Sequence, residues 1–340
     1  MVQMYQQGVK ILGGCCGTTP NHIKAVAQYL QNANISAEMP HITIKEEFPK
    51  EESIVNPFAE KLSHNQKVIA VELDPPFDAN YSHIQEAAPI LKEAGADAIT
   101  IADSPLARAR ANSFMMAAKI QREIGIPTIP HFTCRDQNMI GLKSILVGGN
   151  IENIHNVLVV TGDPVPTAMR DQVKTMFSYN SAMLARHIQS LNEEVFEENP
   201  FMVSGALNIN ALQFDSQIRH AKKKIENGVS VLFTQPVLSE RGFANLKRAR
   251  EELDVKILGG IMPVVSYRNA CFMNNEMAGI DVQDTIVSMY QDKNREEGEE
   301  LAYRISTAII DKITDYVDGY YLITPFKRVE LLLRIIHYVK

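Results

Sequence analysis

The sequence is poor in cysteine. It holds Cys15, Cys16, Cys134 and Cys271 in 340 residues, too few and too unevenly spaced for a disulfide framework, and the adjacent pair could close only a strained ring. That usage fits a reducing cytoplasm. Long apolar runs are also absent: nothing approaches the roughly 20 residues of a membrane helix, and the opening MVQMYQQGVK has no leader-like apolar stretch. The chain is therefore expected to be soluble and cytoplasmic, with no membrane partner. Basic excess is missing too. With 34 Lys and Arg against 40 Asp and Glu, and a net charge of -6, no basic stripe exists for a phosphate backbone, which argues against nucleic acid as a partner.

What is present is enough apolar residue, 45% of the chain, to bury one large core or two modest ones. Residues 33–66 mix prolines with a charge cluster and show no sustained period, so they read as a linker. Ahead of them stand one strand-like run, 9–12, and one helix-like run, 21–31, too little to fold alone. Behind them the pattern becomes regular. Short β-branched or apolar runs fall at 67–74, 97–103, 127–133, 155–163, 201–208, 230–236, 256–263 and 319–325. Longer segments of helical period lie between them, with Gly95 and Gly228 where helices are expected to end. Buried strands that alternate with helices are the signature of parallel βα units. The expected fold is α/β, a (β/α)8 TIM barrel preceded by an N-terminal βα remnant and a linker. A doubly wound sheet is the alternative, but no G-x-G-x-x-G follows the first strand, so it lacks its usual support.

A parallel barrel works at the carboxyl ends of its strands. Here those ends are polar: Glu72 and Asp74, Thr100 and Asp103, His131 and Thr133, Thr161, Gly162 and Asp163, Asn208 and Asn210, Thr234 and Gln235, and Thr324. Each also has a plainer reading. Glu72 would serve equally as a rim carboxylate, and an acid after glycine, as at Asp163, often only bonds turn amides. His131 and Cys134 fall on opposite sides of a strand, poor geometry for zinc, and His131 would serve as a core histidine. Accumulation favours function, since acids and amides recur at end after end.

In order along 67–340, VELDPP, PHFTCRD, VVTGDPVP, FTQPV, GGIMPV and YLITPFKR resemble the methylenetetrahydrofolate reductase family. The resemblance implies a barrel flavoenzyme that binds FAD without a dinucleotide fold. Such an enzyme reduces 5,10-methylenetetrahydrofolate to 5-methyltetrahydrofolate by ping-pong hydride transfer from NADH or NADPH, feeding methionine synthesis. It implies Glu72 as general acid and Asp163 as the acid beside flavin and pterin. Gln235, Asn269, Met273 and Lys327 match substrate positions, with Asn269, Met273 and Lys327 departing from the family's usual Gln, Phe and Arg. Thr100, Asp103, His131, Thr161, Gly162, Asp163, Ser178, Leu207, Lys223 and Lys224 match FAD positions. Leu207 and Ala211 replace a Tyr and a His there, and the lysine run by itself would read as a solvated helix face. A homodimer or homotetramer is the implied assembly.

The stretch ILGGCCGTTPNHI resembles the end of the homocysteine S-methyltransferase barrel, whose paired cysteines bind zinc together with a third. Cys15 and Cys16 thus read as vestigial zinc ligands, because a catalytic zinc usually takes three protein ligands and neither Cys134 nor Cys271 lies in a matching motif. The expected organisation is a methyltransferase remnant at 1–32, a linker at 33–66 and the reductase barrel at 67–340. Two competing readings remain at this point: a zinc-dependent methyltransferase resting on Cys15 and Cys16, and a barrel that has lost its cofactor, motivated by Leu207 and Ala211.

Overall fold

The computed structural model describes residues 1–6, 8–32, 56–167, 171, 173–177, 179–325 and 328–340. It divides into two compact units, Met1–Ser53 and Ile54–Lys340. In the first, α1 (Val2–Gln6) and α2 (Pro20–Asn32) are helical, and proline opens α2, where its missing N–H costs nothing. The run 9–12, expected as a strand, is not one. A strand needs a neighbour for its N–H and C=O groups, and the described residues of this unit contain no other strand.

The second unit begins with a short helix, α3 (Pro57–Ser63), in a stretch read from sequence as linker. Then the alternation starts: β1 (Val68–Leu73), α4 (Ser82–Ala94), β2 (Ala98–Ile101), α5 (Ser113–Ile124), β3 (Thr128–Thr133) and α6 (Met139–Ile151). It continues with β4 (Asn156–Val160), α7 (Ser181–Glu194), β5 (Met202–Leu207), α8 (Phe214–Glu226), β6 (Val229–Pro236) and α9 (Glu240–Glu252). After β7 (Lys256–Ile261), three helices, α10 (Tyr267–Glu276), α11 (Asp284–Met289) and α12 (Arg295–Ile313), precede β8 (Gly319–Ile323) and α13 (Val329–Val339). All eight strands are parallel and close into a barrel in sequence order. Each of the eight strands expected after residue 66 is present. β8 seals the barrel against β1, with Val68 opposite Gly319 and Glu72 opposite Ile323.

Alternation sorts the side chains. Val71, Ile99, Ile101, Phe132, Val157, Val203 and Leu207 join the core between strands and helices. Val68, Ala70, Ala98, Ile129, Leu158, Phe233 and Tyr321 fill the interior of the barrel. Helix α3 closes its amino-terminal end: Phe58 (0% exposed) and Leu62 (3%) pack into this interior cluster. Polar contacts fasten the plug. Asn56 donates to the Asn156 side chain at 2.7 Å, and Lys61 to Asp97 at 2.5 Å, while Asp97 also accepts the Ile69 N–H at 2.7 Å. Gly95 ends α4 at φ 102°, a left-handed conformation that glycine adopts without a Cβ clash. Among the described residues, no helix is long and apolar enough to cross a membrane.

Because Phe58 is fully buried, Phe58→Ala is expected to cost about 3–5 kcal/mol through lost burial and a cavity under the strands. Urea unfolding of the two proteins measures it, and an unchanged midpoint would mean that α3 does not plug the barrel.

Candidate active site

The carboxyl ends of β1, β2, β3 and β8 bring the central group together. Glu72 lies across from Thr100 in the β1–β2 register. The Tyr321 hydroxyl donates to Glu72 Oε2, His131 Nε2 stands 3.5 Å from the same oxygen, and Thr324 Oγ1 donates to the Glu72 carbonyl at 2.6 Å. Burial, and then the nearby Asp74 charge, push the Glu72 carboxyl up to about 7. Burial pushes the His131 imidazole down to about 4. Both shifts favour the neutral form, as expected where charge is taken out of water. The half-exposed Asp74 lies 3.7 Å from Arg110, which stacks on Phe77 with its guanidinium 3.8 Å from the ring centre.

Around this centre the β2, β3 and β4 ends are knitted together. Asp103 Oδ2 accepts from Thr133 Oγ1 at 2.8 Å and from its N–H at 3.1 Å, and burial raises the Asp103 pKa. Asp163 Oδ2 accepts the Leu106 N–H at 2.7 Å. Arg135, only 2% exposed, pairs with Asp136 and donates to the carbonyls of Ser104 (3.3 Å) and Asp163 (3.5 Å). Gly162 is what lets these groups meet. It has φ 96°, and a Cβ there would stand 3.1 Å from the Arg135 Cβ and 3.2 Å from the Thr133 Cβ. Thr161 is exposed beside it.

The remaining expected positions divide. Gln235 is half-buried at the end of β6, where Thr234 donates to its carbonyl at 2.9 Å. Lys224 buries its ammonium, which donates to the Ala206 carbonyl at 2.6 Å, and burial lowers its pKa to about 8. Lys223 is exposed on α8. Three expected side chains are engaged elsewhere in this structure. Leu207 (1% exposed) turns its side chain outward into the strand–helix core. Met273 (0% exposed) packs on α10 against Leu238, Met262, Val264 and Tyr290. The buried Asn269 spends its side-chain oxygen on the Val265 N–H at 3.1 Å. Ser178 and Lys327 lie outside the described residues. Asn210 is a clamp, donating to the carbonyls of Pro236 (3.0 Å) and Gly279 (2.9 Å).

Tyr321 and Arg135 belong to this site although sequence reasoning passed over them. Tyr321 lies on the interior face of β8, a placement that alternation along GYYLI would have signalled. A cavity of about 550 Å³ lies at the opposite end of the barrel, between α7 and the starts of β5 and β6, lined by Glu193, Glu197, Met202 and Ser230. It is remote from the polar mouth. In the first unit, Cys15 and Cys16 are exposed, with sulfurs 3.8 Å apart. Among the described residues, no group of three or more His, Cys, Asp or Glu is placed to hold a metal.

Residues 58–340 match the family described as methylenetetrahydrofolate reductase. The chain belongs to the methylenetetrahydrofolate reductase family. Its residues 1–30 match homocysteine S-methyltransferase. Among curated proteins, the chain is similar to methylenetetrahydrofolate reductase (NADH) 1 of Arabidopsis thaliana, 24% identical over 164 residues, 45% of this chain and 28% of that protein. The match thus spans about a quarter of that relative's length. Among solved structures, an uncharacterized Clostridium thermocellum protein, described as binding two copies of 5-methyl-5,6,7,8-tetrahydrofolic acid, has TM-score 0.57 and 13% identity, covering 82% of this chain and 96% of that one. At that identity the likeness establishes the barrel. For a methylenetetrahydrofolate reductase family member, the mouth built around Glu72 is the candidate active site.

The His131 shift has a measurable sign. With its pKa lowered from 6.5 to about 4, the unfolded chain takes up a proton below pH 6.5 that the folded chain refuses, so this group removes stability as pH falls from 6.5 towards 4. Nitrogen-15 NMR of labelled histidine should find His131 neutral at pH 5.5. A charged His131 at that pH would show that the ring is not desolvated.

Proposed function

We propose that this chain reduces 5,10-methylenetetrahydrofolate to 5-methyltetrahydrofolate, using FAD and a nicotinamide donor, NADH or NADPH. The observation that carries the reading is the placement of Glu72 at the mouth of a barrel of this family, where the Tyr321 hydroxyl donates to its carboxyl and burial pushes that carboxyl up to about 7. A carboxyl tuned to that range gives up a proton readily at physiological pH.

The residues present fit the cofactor. Among the described residues, the buried Nε2 of His131 has no hydrogen-bond partner, and an orphaned polar atom at a barrel mouth is suited to the polar edge of a ring system. Lys224 packs its stem beside Gly205 on the outward face of β5 and gives its ammonium to the Ala206 carbonyl, so it would serve a phosphate on the helix side of the strand and only by exchanging that acceptor. Thr100, Asp103, Thr161 and Gly162 would line the rest of that site, with Lys223 as a second cation, and Ser178 is proposed as a contact from its place in the sequence alone. When bound, FAD supplies a two-electron relay, so that donor and folate react in separate half-reactions at one mouth.

The protein's own part is acid catalysis and charge placement. Glu72 would donate its proton to a folate ring nitrogen as the five-membered ring opens, leaving a cationic iminium that accepts the hydride. Asp163, anchored by the Leu106 N–H, sets a carboxylate where that cation is stabilised. Gln235 presents an amide able to donate to and accept from the pterin edge. Asn269 and Met273, buried on α10, are kept as substrate positions from their place in the sequence alone, and Lys327 remains the proposed cation for the folate tail. Cys15 and Cys16 supply two sulfur ligands, one fewer than the three protein ligands usual for a catalytic zinc, which weighs against a methyltransferase reading of this chain.

Two outcomes test the assignment. Glu72→Gln should leave flavin reduction by the nicotinamide within a few-fold of normal while slowing folate reduction by about 10²–10⁴. Near-normal folate reduction in that variant would remove Glu72 from the chemistry. In the wild type, the folate half-reaction should slow as pH rises through about 7, because the acid is then lost. A rate that stays flat from pH 6 to 8 would contradict the role.

A further inference from the structure

We infer that Tyr321 is a positioning residue for Glu72, holding one carboxyl oxygen so that the transferable proton resides on the other. The inference rests on the reading of Glu72 as proton donor. Among the described residues, the hydrogen bond to the Glu72 carboxyl comes from the Tyr321 hydroxyl and reaches Oε2, and His131 Nε2 approaches that same oxygen. An oxygen that accepts a hydrogen bond is the less basic of the two, so the acid proton sits on Oε1. Tyr321 thereby fixes both the orientation of the acid and its proton-bearing edge.

The tyrosine is built to stay where it is. Its ring is buried and packs edge-to-face on Phe233, with centroids 5.1 Å apart at 75°, an arrangement aromatic quadrupoles favour. Its strand is hydrogen-bonded to β1, with Tyr321 opposite Ala70. Two residues beyond β8's inward Ile323 lies Pro325, and between them Thr324 holds the Glu72 backbone carbonyl at 2.6 Å. One strand thus grips both the main chain and the side chain of the acid. Burial and the adjacent Glu72 raise the phenol pKa well above its ordinary value, so the hydroxyl remains a donor across the working range.

The groups that face the Glu72 carboxyl are few. Asp74 of the same chain segment raises its pKa, while Tyr321 from β8 and Arg110 from the loop after β2 lower it. His131 from β3 is neutral above about 4, and Thr100 from β2 is uncharged. Removing the phenol should therefore shift the titration upward, and a more acidic phenol should shift it downward.

The experiment uses the FAD-bound protein with carbon-13-labelled glutamate and reads the protonated-carboxyl infrared band of Glu72, assigned by its loss in Glu72→Gln. Tyr321→Phe should raise the titration midpoint by about one pH unit, and difluorotyrosine placed at 321 should lower it. An unmoved midpoint in a folded Tyr321→Phe protein would overturn the inference. Should the phenylalanine variant fail to fold, the difluorotyrosine protein decides alone: a lowered midpoint supports the inference and an unchanged one overturns it. The band is read without turnover, so failure of the folate assay in the wild type would strike the proposed function and leave this result standing.

Discussion

The contact between β8 and β1 is the one on which the site depends. By pairing Val68 through Glu72 with Gly319 through Ile323, it turns eight strands into a closed wall and leaves no unpaired edge. It also carries the Tyr321 phenol and the Thr324 hydroxyl to Glu72, residues about 250 positions away in sequence that no local pattern could bring together. Helix α3 then fills the floor, so the polar end is the one left open.

The electrostatics follow from that closure. Glu72 and His131 sit 3.5 Å apart, yet burial raises one pKa and lowers the other, so the pair is neutral over the interval between about 4 and about 7. Ionising both would require desolvating two charges, a cost that often exceeds their attraction. Their effects on stability oppose each other. Glu72, raised from 4.5 to about 7, contributes stability that is complete below pH 4.5 and is lost as pH rises towards 7, whereas His131 removes stability as pH falls from 6.5 towards 4. In the shared window the two trends offset, and the site keeps a proton available without making the fold strongly pH-dependent.

The strands were legible because buried parallel strands carry continuous apolar runs, as in VIAVEL of β1 and NVLVV of β4. Glu72, His131 and Asp163 were legible as polar residues closing such runs. Facing was harder to read. Leu207 matched a cofactor position by order along the chain, but its place on β5 turns it into the helix layer. Met273 and Asn269 lie on α10, where exposure depends on how the helix packs, and nothing local to NACFM tells the two faces apart. Helix α3 hid among prolines and charges because it is short, and only Phe58 and Leu62 mark its buried side. Tyr321 and Arg135 act across strands, a relation that exists only after the barrel closes.

A family barrel with a neutral, anchored carboxyl at its mouth leads to one direct measurement. The purified protein is loaded with FAD and mixed without oxygen, first with NADH or NADPH and then with 5,10-methylenetetrahydrofolate, while flavin absorbance is followed. The account predicts bleaching in the first mix and recovery in the second, with 5-methyltetrahydrofolate formed in proportion. A protein that takes up no flavin, or whose reduced flavin is not reoxidised by the folate, would contradict it.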